Sequence, residues 1–114
     1  MSLPCLFNPT HALLALVTLT LTAGVATAAD TQAGRQKAQA CAVCHGPLGL
    51  SSTPDAPHLA GQPALYLSSQ LLAYRSGARK HEVMTWMAKP LTDDDITDIA
   101  AWFSSIRVEV RAPD

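Results

Sequence analysis

Five consecutive residues constrain this chain more than any others: Cys41-Ala42-Val43-Cys44-His45. Two cysteines three positions apart, followed at once by histidine, form the C-x-x-C-H pattern of c-type haem attachment. The chemistry accounts for the spacing. On a turn of helix both thiols pass the same porphyrin edge, where each adds to one vinyl group as a thioether. His45, next along, then lies under the iron as its proximal nitrogen ligand. The motif is short, so the rest of the chain must agree with it.

The N-terminus is the first point of agreement. Residues 1 to 29 contain no Lys, Arg, Asp or Glu, so all 8 basic and 9 acidic side chains lie beyond them. An apolar run from Ala12 to Ala26 is broken only by Thr18, Thr20, Thr22 and Gly24, and it ends in Ala26-Thr27-Ala28-Ala29. That is the small-residue pattern of an export signal, with cleavage expected after Ala28 or Ala29. Residues 1–29 are thus read as a signal peptide and 30–114 as one haem-binding domain destined for the periplasm. An uncleaved membrane anchor is the competing reading. It would want ~20 apolar residues, more than this threonine-rich run supplies.

The remaining domain is small, and a chain of this size buries too little surface to be secure alone. It needs a staple: disulfides, a metal or a cofactor. Cys5 leaves with the signal, and the two remaining cysteines would close almost no loop. A covalent haem supplies an apolar body to fold around. The formal net charge of −1, before two haem propionates are added, argues against nucleic acid as a partner.

Three helical segments and no convincing strand are predicted, an all-α chain with irregular loops. The first runs from Ala33 to Val43. From Gly46 to Gln62, three prolines and three glycines forbid regular structure. Pro63 suits a first helical turn, Leu65, Leu67, Leu71, Leu72 and Tyr74 follow, and Gly77 stops the helix. A second loop, Ala78 to Leu91, holds Met84, Trp86, Met87 and Pro90. Thr92 with Asp95 forms a capping box, and Ile96, Ile99, Ala100, Phe103 and Ile106 give the last helix one apolar face.

This order of elements resembles the bacterial class I cytochromes c, above all the single-haem periplasmic forms and the halves of the di-haem cytochromes c-four. The resemblance runs from about Gly34 to Ile106. It rests on Cys41-Ala42-Val43-Cys44-His45-Gly46-Pro47, on Pro57-His58-Leu59-Ala60-Gly61-Gln62, and on Met84 through Ile106. One C-x-x-C-H is present where the di-haem proteins carry two. The resemblance implies about three main helices wrapped, with their loops, around one covalent haem c. It assigns Cys41 and Cys44 to the thioethers, His45 to the proximal side of the iron, and the Pro57 carbonyl to the other ring nitrogen of His45. Met84, eight residues before Thr92, becomes the distal ligand, and Met87 a haem-wall residue or alternative ligand. Gly34 lets the first and last helices cross closely, with Trp102 packed there.

Other residues compete for roles. His81 in the distal loop and His58 are rival iron ligands, although a surface histidine explains His58 better. Leu65, Leu71, Tyr74, Trp86 and Phe103 read as core or haem wall. Asp93, Asp94, Asp95 and Asp98 read as helix capping and a solvated face, or as a docking patch. If Arg79, Lys80 and Lys89 rim an exposed haem edge, an acidic partner surface would be steered to it.

The expected function is periplasmic electron transfer by a single haem with His/Met ligation, with no catalytic residue and no small-molecule substrate. The partners are redox proteins, a donor and an acceptor such as a dehydrogenase or a terminal oxidase. Membrane contact comes only through them, or through an uncleaved signal. The alternative is a haem c subunit of a periplasmic dehydrogenase. A haem enzyme or gas sensor would need an open sixth position, against which the methionines argue. A structural zinc would want four ligands, and a thioredoxin-like site a βαβ setting; neither is visible.

Overall fold

A computed structural model describes residues 28–113. The expected export segment lies outside the described residues, except for Ala28 and Ala29. Helix α1 spans Thr31–Lys37, α2 Ala42–His45, α3 Ala64–Ser76, α4 Glu82–Ala88 and α5 Asp93–Ser105, with a 3-10 turn over Ala38–Ala40. Among the described residues there is no strand, and no helix is long and apolar enough to cross a membrane.

The first predicted helix is in fact two. Asp30 caps α1 by accepting hydrogen bonds from the Gln32 and Ala33 amides at 2.8 and 3.1 Å. After Lys37 the bonding tightens, with the Cys41 amide reaching the Ala38 carbonyl at 3.0 Å. Such a 3-10 stretch redirects the chain, and α2 then carries the C-x-x-C-H motif in a separate turn. Pro63 is the cap of α3 rather than its first helical residue; its carbonyl accepts from the Leu67 amide at 3.0 Å. Gly77 ends α3 in the left-handed region at φ 81°, a conformation that favours glycine.

The predicted loop from Ala78 to Leu91 contains α4, and this is the largest correction to the sequence reading. His81 caps it: its Nδ1 accepts from the Met84 amide at 3.2 Å, and its own amide donates to Thr85 Oγ1 at 3.3 Å. Met84 and Met87 therefore lie on a helix, not in an open loop.

Helix α5 is the spine. Its capping box is present, with the Asp95 amide donating to Thr92 Oγ1 at 3.1 Å and the Thr92 amide to Asp95 Oδ2 at 2.9 Å. Ile96, Ile99, Ala100 and Phe103 are buried, as their helical spacing requires. Helix α1 packs most extensively on α5, α3 packs on α5, and α4 packs on α3. Ala38, Leu67, Ile99, Ala100 and Phe103 form the core, with Cys41, Leu59, Leu71, Leu91, Trp102 and Ile106 packed round it.

Gly34 is buried where α1 crosses α5. A Cβ there would overlap the Asp98 carbonyl oxygen and stand 3.0 Å from Trp102 Cβ. The Arg35 guanidinium lies over the Trp102 ring, 5.5 Å from its centroid. The close crossing expected of Gly34 and Trp102 is thus present.

A half-buried ionic cluster fastens the same crossing. Asp98 is buried, contrary to its reading as part of a solvated acidic face. Its Oδ1 accepts from the Asp30 amide at 2.8 Å and its Oδ2 from Lys37 Nζ at 2.9 Å, while Lys37 also reaches Asp95 Oδ1 at 2.8 Å. Hydrogen bonding to Lys37, then to Thr92, holds the Asp95 carboxyl down at about 2. Lys37 and the Asp30 amide lower Asp98, and Asp95 and Asp98 together raise Lys37. Depressed carboxylates add stability that is complete above their unfolded value of ~3.9 and is lost as pH falls through the folded one. The raised lysine contributes fully below its unfolded value of ~10.4 and loses that contribution only as pH rises through its folded value. The cluster should therefore give a plateau between these limits and an acid limb below pH ~4. Asp98→Asn is expected to lower the urea midpoint at pH 7 and to flatten that limb. An acid limb of undiminished steepness would assign it to other groups.

Candidate functional site

The loop after α2 is held on the end of α5, and so it brings Pro57 back to the motif. Gly49, at φ 73°, lies against Phe103: a Cβ there would stand 2.8 Å from the ring. Its carbonyl accepts from the Leu59 and Ala60 amides at 2.7 and 3.1 Å, and the Gly61 amide donates to the Phe103 carbonyl at 2.9 Å. This anchorage sets the approach of residues 57–58 to His45.

His45 is buried. Its Nδ1 lies 2.8 Å from the Pro57 carbonyl oxygen, and because a carbonyl only accepts, the proton is on Nδ1. Nε2 is then left as an unprotonated donor atom for a metal, in the tautomer fixed by the carbonyl. Cys41 is half-buried against the core and Cys44 is exposed; burial pushes the Cys41 thiol up. Both sulfurs and the imidazole come from one helical turn and the residue that leads into it, in which the His45 amide donates to the Cys41 carbonyl at 2.9 Å.

The rival histidines are occupied otherwise. His58 is exposed, and its Nδ1 accepts from the Ser51 amide at 2.9 Å. His81 uses Nδ1 as the α4 cap and stands edge-on to Tyr74, ring centroids 6.4 Å apart. Met84 and Met87 are both half-buried on α4. Arg79 leans on the Tyr74 ring and donates to Gln70 Oε1, while Lys80 and Lys89 are exposed. Among the described residues, no group of three or more His, Cys, Asp or Glu is placed to hold a metal ion by itself.

Much apolar surface on α3, on α4 and in the loop after α2 is uncovered by the polypeptide. On α3, Leu67, Leu71 and Tyr74 face the core at i, i+4 and i+7, while Leu65 and Leu72 share the opposite side. Leu65 is 82% exposed and Trp86 on α4 74%, with Leu48, Leu50 and Val83 also exposed. Phe103, Tyr74 and Leu71 thus join the core as expected, whereas Leu65 and Trp86 find no protein cover. A helix apolar on two sides belongs inside a larger apolar body. The residues present fit a planar cofactor joined at Cys41 and Cys44.

The family model described as cytochrome c matches residues 31–107. The chain belongs to the cytochrome c family. It is 48% identical over 81 residues to cytochrome c-554(548) of Halomonas halodenitrificans, covering 68% of this chain and 98% of that protein. The crystal structure of reduced recombinant cytochrome c4 from Pseudomonas stutzeri superposes with a TM-score of 0.69 at 42% identity, over 76% of this chain and 50% of that one. A thiosulfate dehydrogenase electron acceptor of Stutzerimonas stutzeri is 39% identical over 69 residues, covering 58% of this chain and 32% of its own. The chain therefore spans half the length of the cytochrome c4 structure it matches. Membership gives this cytochrome its cofactor, a covalent haem c with iron, and its general role as an electron carrier rather than an enzyme. The α-helical fold of the c4 neighbour agrees with the expected fold class.

Proposed function

We propose that this protein is a single-haem electron-transfer cytochrome of the periplasm, with His45 and Met84 as the axial ligands of iron. The observation that carries the reading is the hydrogen bond from His45 Nδ1 to the Pro57 carbonyl. It holds a buried imidazole in the tautomer that donates through Nε2, and it strengthens that donor. Cys41 and Cys44 tether the porphyrin, and the uncovered leucines, Val83 and Trp86 are available to exclude water from it. Haem held there supplies a one-electron couple between ferrous and ferric iron. One electron enters from a protein donor and leaves to a protein acceptor, with no bond made or broken in a substrate. The chain's task is to keep both ligands in either oxidation state.

The distal assignment to Met84 is supported by its place eight residues before Thr92, and by the capping duty of His81. Met87, one turn on, is assigned to the haem wall, a role suited to a flexible thioether. Met84→Ala should remove the weak red absorption of the sulfur–iron bond. It should also lower the potential by on the order of a hundred millivolts, a part of the ~0.8 V that axial ligands span. Met87→Ala should largely keep both. The reverse pattern would move the ligand to Met87, and insensitivity to both would point to His81 or to an open position.

The second reading is a subunit or dedicated acceptor of a periplasmic dehydrogenase, favoured by the likeness to a thiosulfate dehydrogenase electron acceptor. Purification from native periplasm without crosslinking separates the two. A monomeric red protein supports the carrier, and stoichiometric co-purification with a larger chain supports the subunit.

A further inference from the structure

The proximal hydrogen bond belongs to a closed circuit. Cys44 and His45 are neighbours in sequence, and so are Pro57 and His58. His45 Nδ1 donates to the Pro57 carbonyl at 2.8 Å. His58 Nδ1 accepts from the Ser51 amide at 2.9 Å. Ser51 Oγ stands 3.0 Å from the Cys44 carbonyl oxygen and 3.1 Å from that of Thr53, its one proton shared between them; the Cys44 carbonyl is one of those that a helix end leaves without an intrahelical partner. The ring of contacts returns to its start. Thr53 supports it, its amide donating to Ser51 Oγ at 3.0 Å and its hydroxyl reaching the Cys44 carbonyl at 3.4 Å.

We infer that Ser51 and His58 are positioning residues for the iron ligand, joining the turn that bears Cys44 and His45 to the loop that presents the Pro57 carbonyl. The inference rests on the proposed role of His45. The Leu59, Ala60 and Gly61 amides fix the loop on the C-terminal side of Pro57, and the bonds among residues 51–58 fix it beside the motif. His58 supplies the one nearest to Pro57. Its ring is exposed, so packing does not explain its orientation, whereas the acceptor at Nδ1 does. Partners of this kind decide how strongly a ligating imidazole donates. A loosened Nδ1–H bond weakens donation to iron and stabilises the ferric state less, so the potential rises.

The test uses covalently loaded holoprotein. Asparagine places a carbonyl oxygen close to where His58 Nδ1 stands, and leucine fills similar space with no acceptor. In His58→Leu the reduction potential should rise, and the His45 Nδ1 proton of the ferrous protein should exchange with solvent roughly fivefold faster by NMR, the factor given by losing one ordinary hydrogen bond. His58→Asn should remain close to wild type in both. Ser51→Ala, which keeps the amide and loses the hydroxyl, should move in the same direction as His58→Leu, and it carries the test if that variant does not accumulate. Unchanged potential and exchange in His58→Leu or in Ser51→Ala would overturn the inference, as would an equal change in His58→Asn and His58→Leu. If wild-type holoprotein itself shows no imidazole ligand, the reading of His45 fails instead.

Discussion

Cys41→Ala and Cys44→Ala are each expected to abolish or greatly reduce holoprotein, and the chain from residue 30 onward made without haem is expected to be largely unfolded. In the proposed attachment each thiol supplies one thioether, so neither replaces the other. The energetic reason lies in the packing. The protein's own core consists of Ala38, Leu67, Ile99, Ala100 and Phe103 with a half-buried rim. Leu48, Leu50, Leu65, Val83 and Trp86 stay exposed to solvent unless a further apolar body covers them. A buried leucine or valine side chain is worth about 1.5–3 kcal/mol, and net stabilities of domains are only about 5–15 kcal/mol. Removing the cover from several such residues is therefore comparable to the whole stability. A ligand bound only to the folded state adds its binding free energy to folding. Denaturing gels stained for haem and far-ultraviolet circular dichroism melts of the apoprotein check the two halves. Haem released from denatured wild type into acidic organic solvent would show that attachment is not covalent. A cooperative melt of helical apoprotein would show that the polypeptide core suffices.

Which features were legible in the sequence follows from how local their causes are. The capping box of α5 needs only Thr92 and Asp95, and its apolar face only one helix's own spacing, so both are readable without tertiary information. The Gly77 stop is equally local. Helix α4 escaped because seven residues give periodicity too little to act on, and because its cap is a histidine rather than Ser, Thr, Asp or Asn. Pro90 and the glycine-ended α3 suggested a loop, but they bracket the helix instead of interrupting it. In sequence Asp98 is one more aspartate on an acidic face. Its burial depends on Lys37 and Asp30, 61 and 68 residues away, and no local pattern carries that pairing.

The candidate site divides along the same line. C-x-x-C-H names its chemistry outright, because thioether spacing and ligand order are properties of five residues. Pro57 and Gly34 came from family resemblance, since nothing in a lone proline or glycine states its partner. Ser51 carries no sequence signal beyond being a polar residue in a proline-rich loop, and the sequence offers His58 as a surface histidine or a rival ligand rather than as a support for Pro57. Leu65 and Trp86 have the sequence character of core or haem wall; in the structure the polypeptide covers neither.

Gly34→Ala should destabilise the holoprotein by ~3 kcal/mol or more, at or above the upper end of ordinary overpacking. Two effects oppose each other. In a solvent-exposed helix, alanine would be preferred over glycine by about 1 kcal/mol. Here the added methyl would overlap the Asp98 carbonyl oxygen, lie 2.5 Å from its carbon and press on Trp102 Cβ. The atoms met first are backbone, which has no rotamer to change, so α1 must move away from α5. Such a shift also lengthens the bonds from Asp98 to the Asp30 amide and to Lys37, and the Arg35–Trp102 contact opens with it. Because α1 leads through the 3-10 turn into the C-x-x-C-H segment proposed to carry the haem, the loss should be cooperative with cofactor retention in the fold. Guanidinium denaturation of ferric holoprotein, followed by both Soret absorbance and circular dichroism, measures the effect. A variant as stable as wild type, or more stable, would mean that helix propensity outweighs the contact and that α1 and α5 do not cross as closely as their backbones are placed.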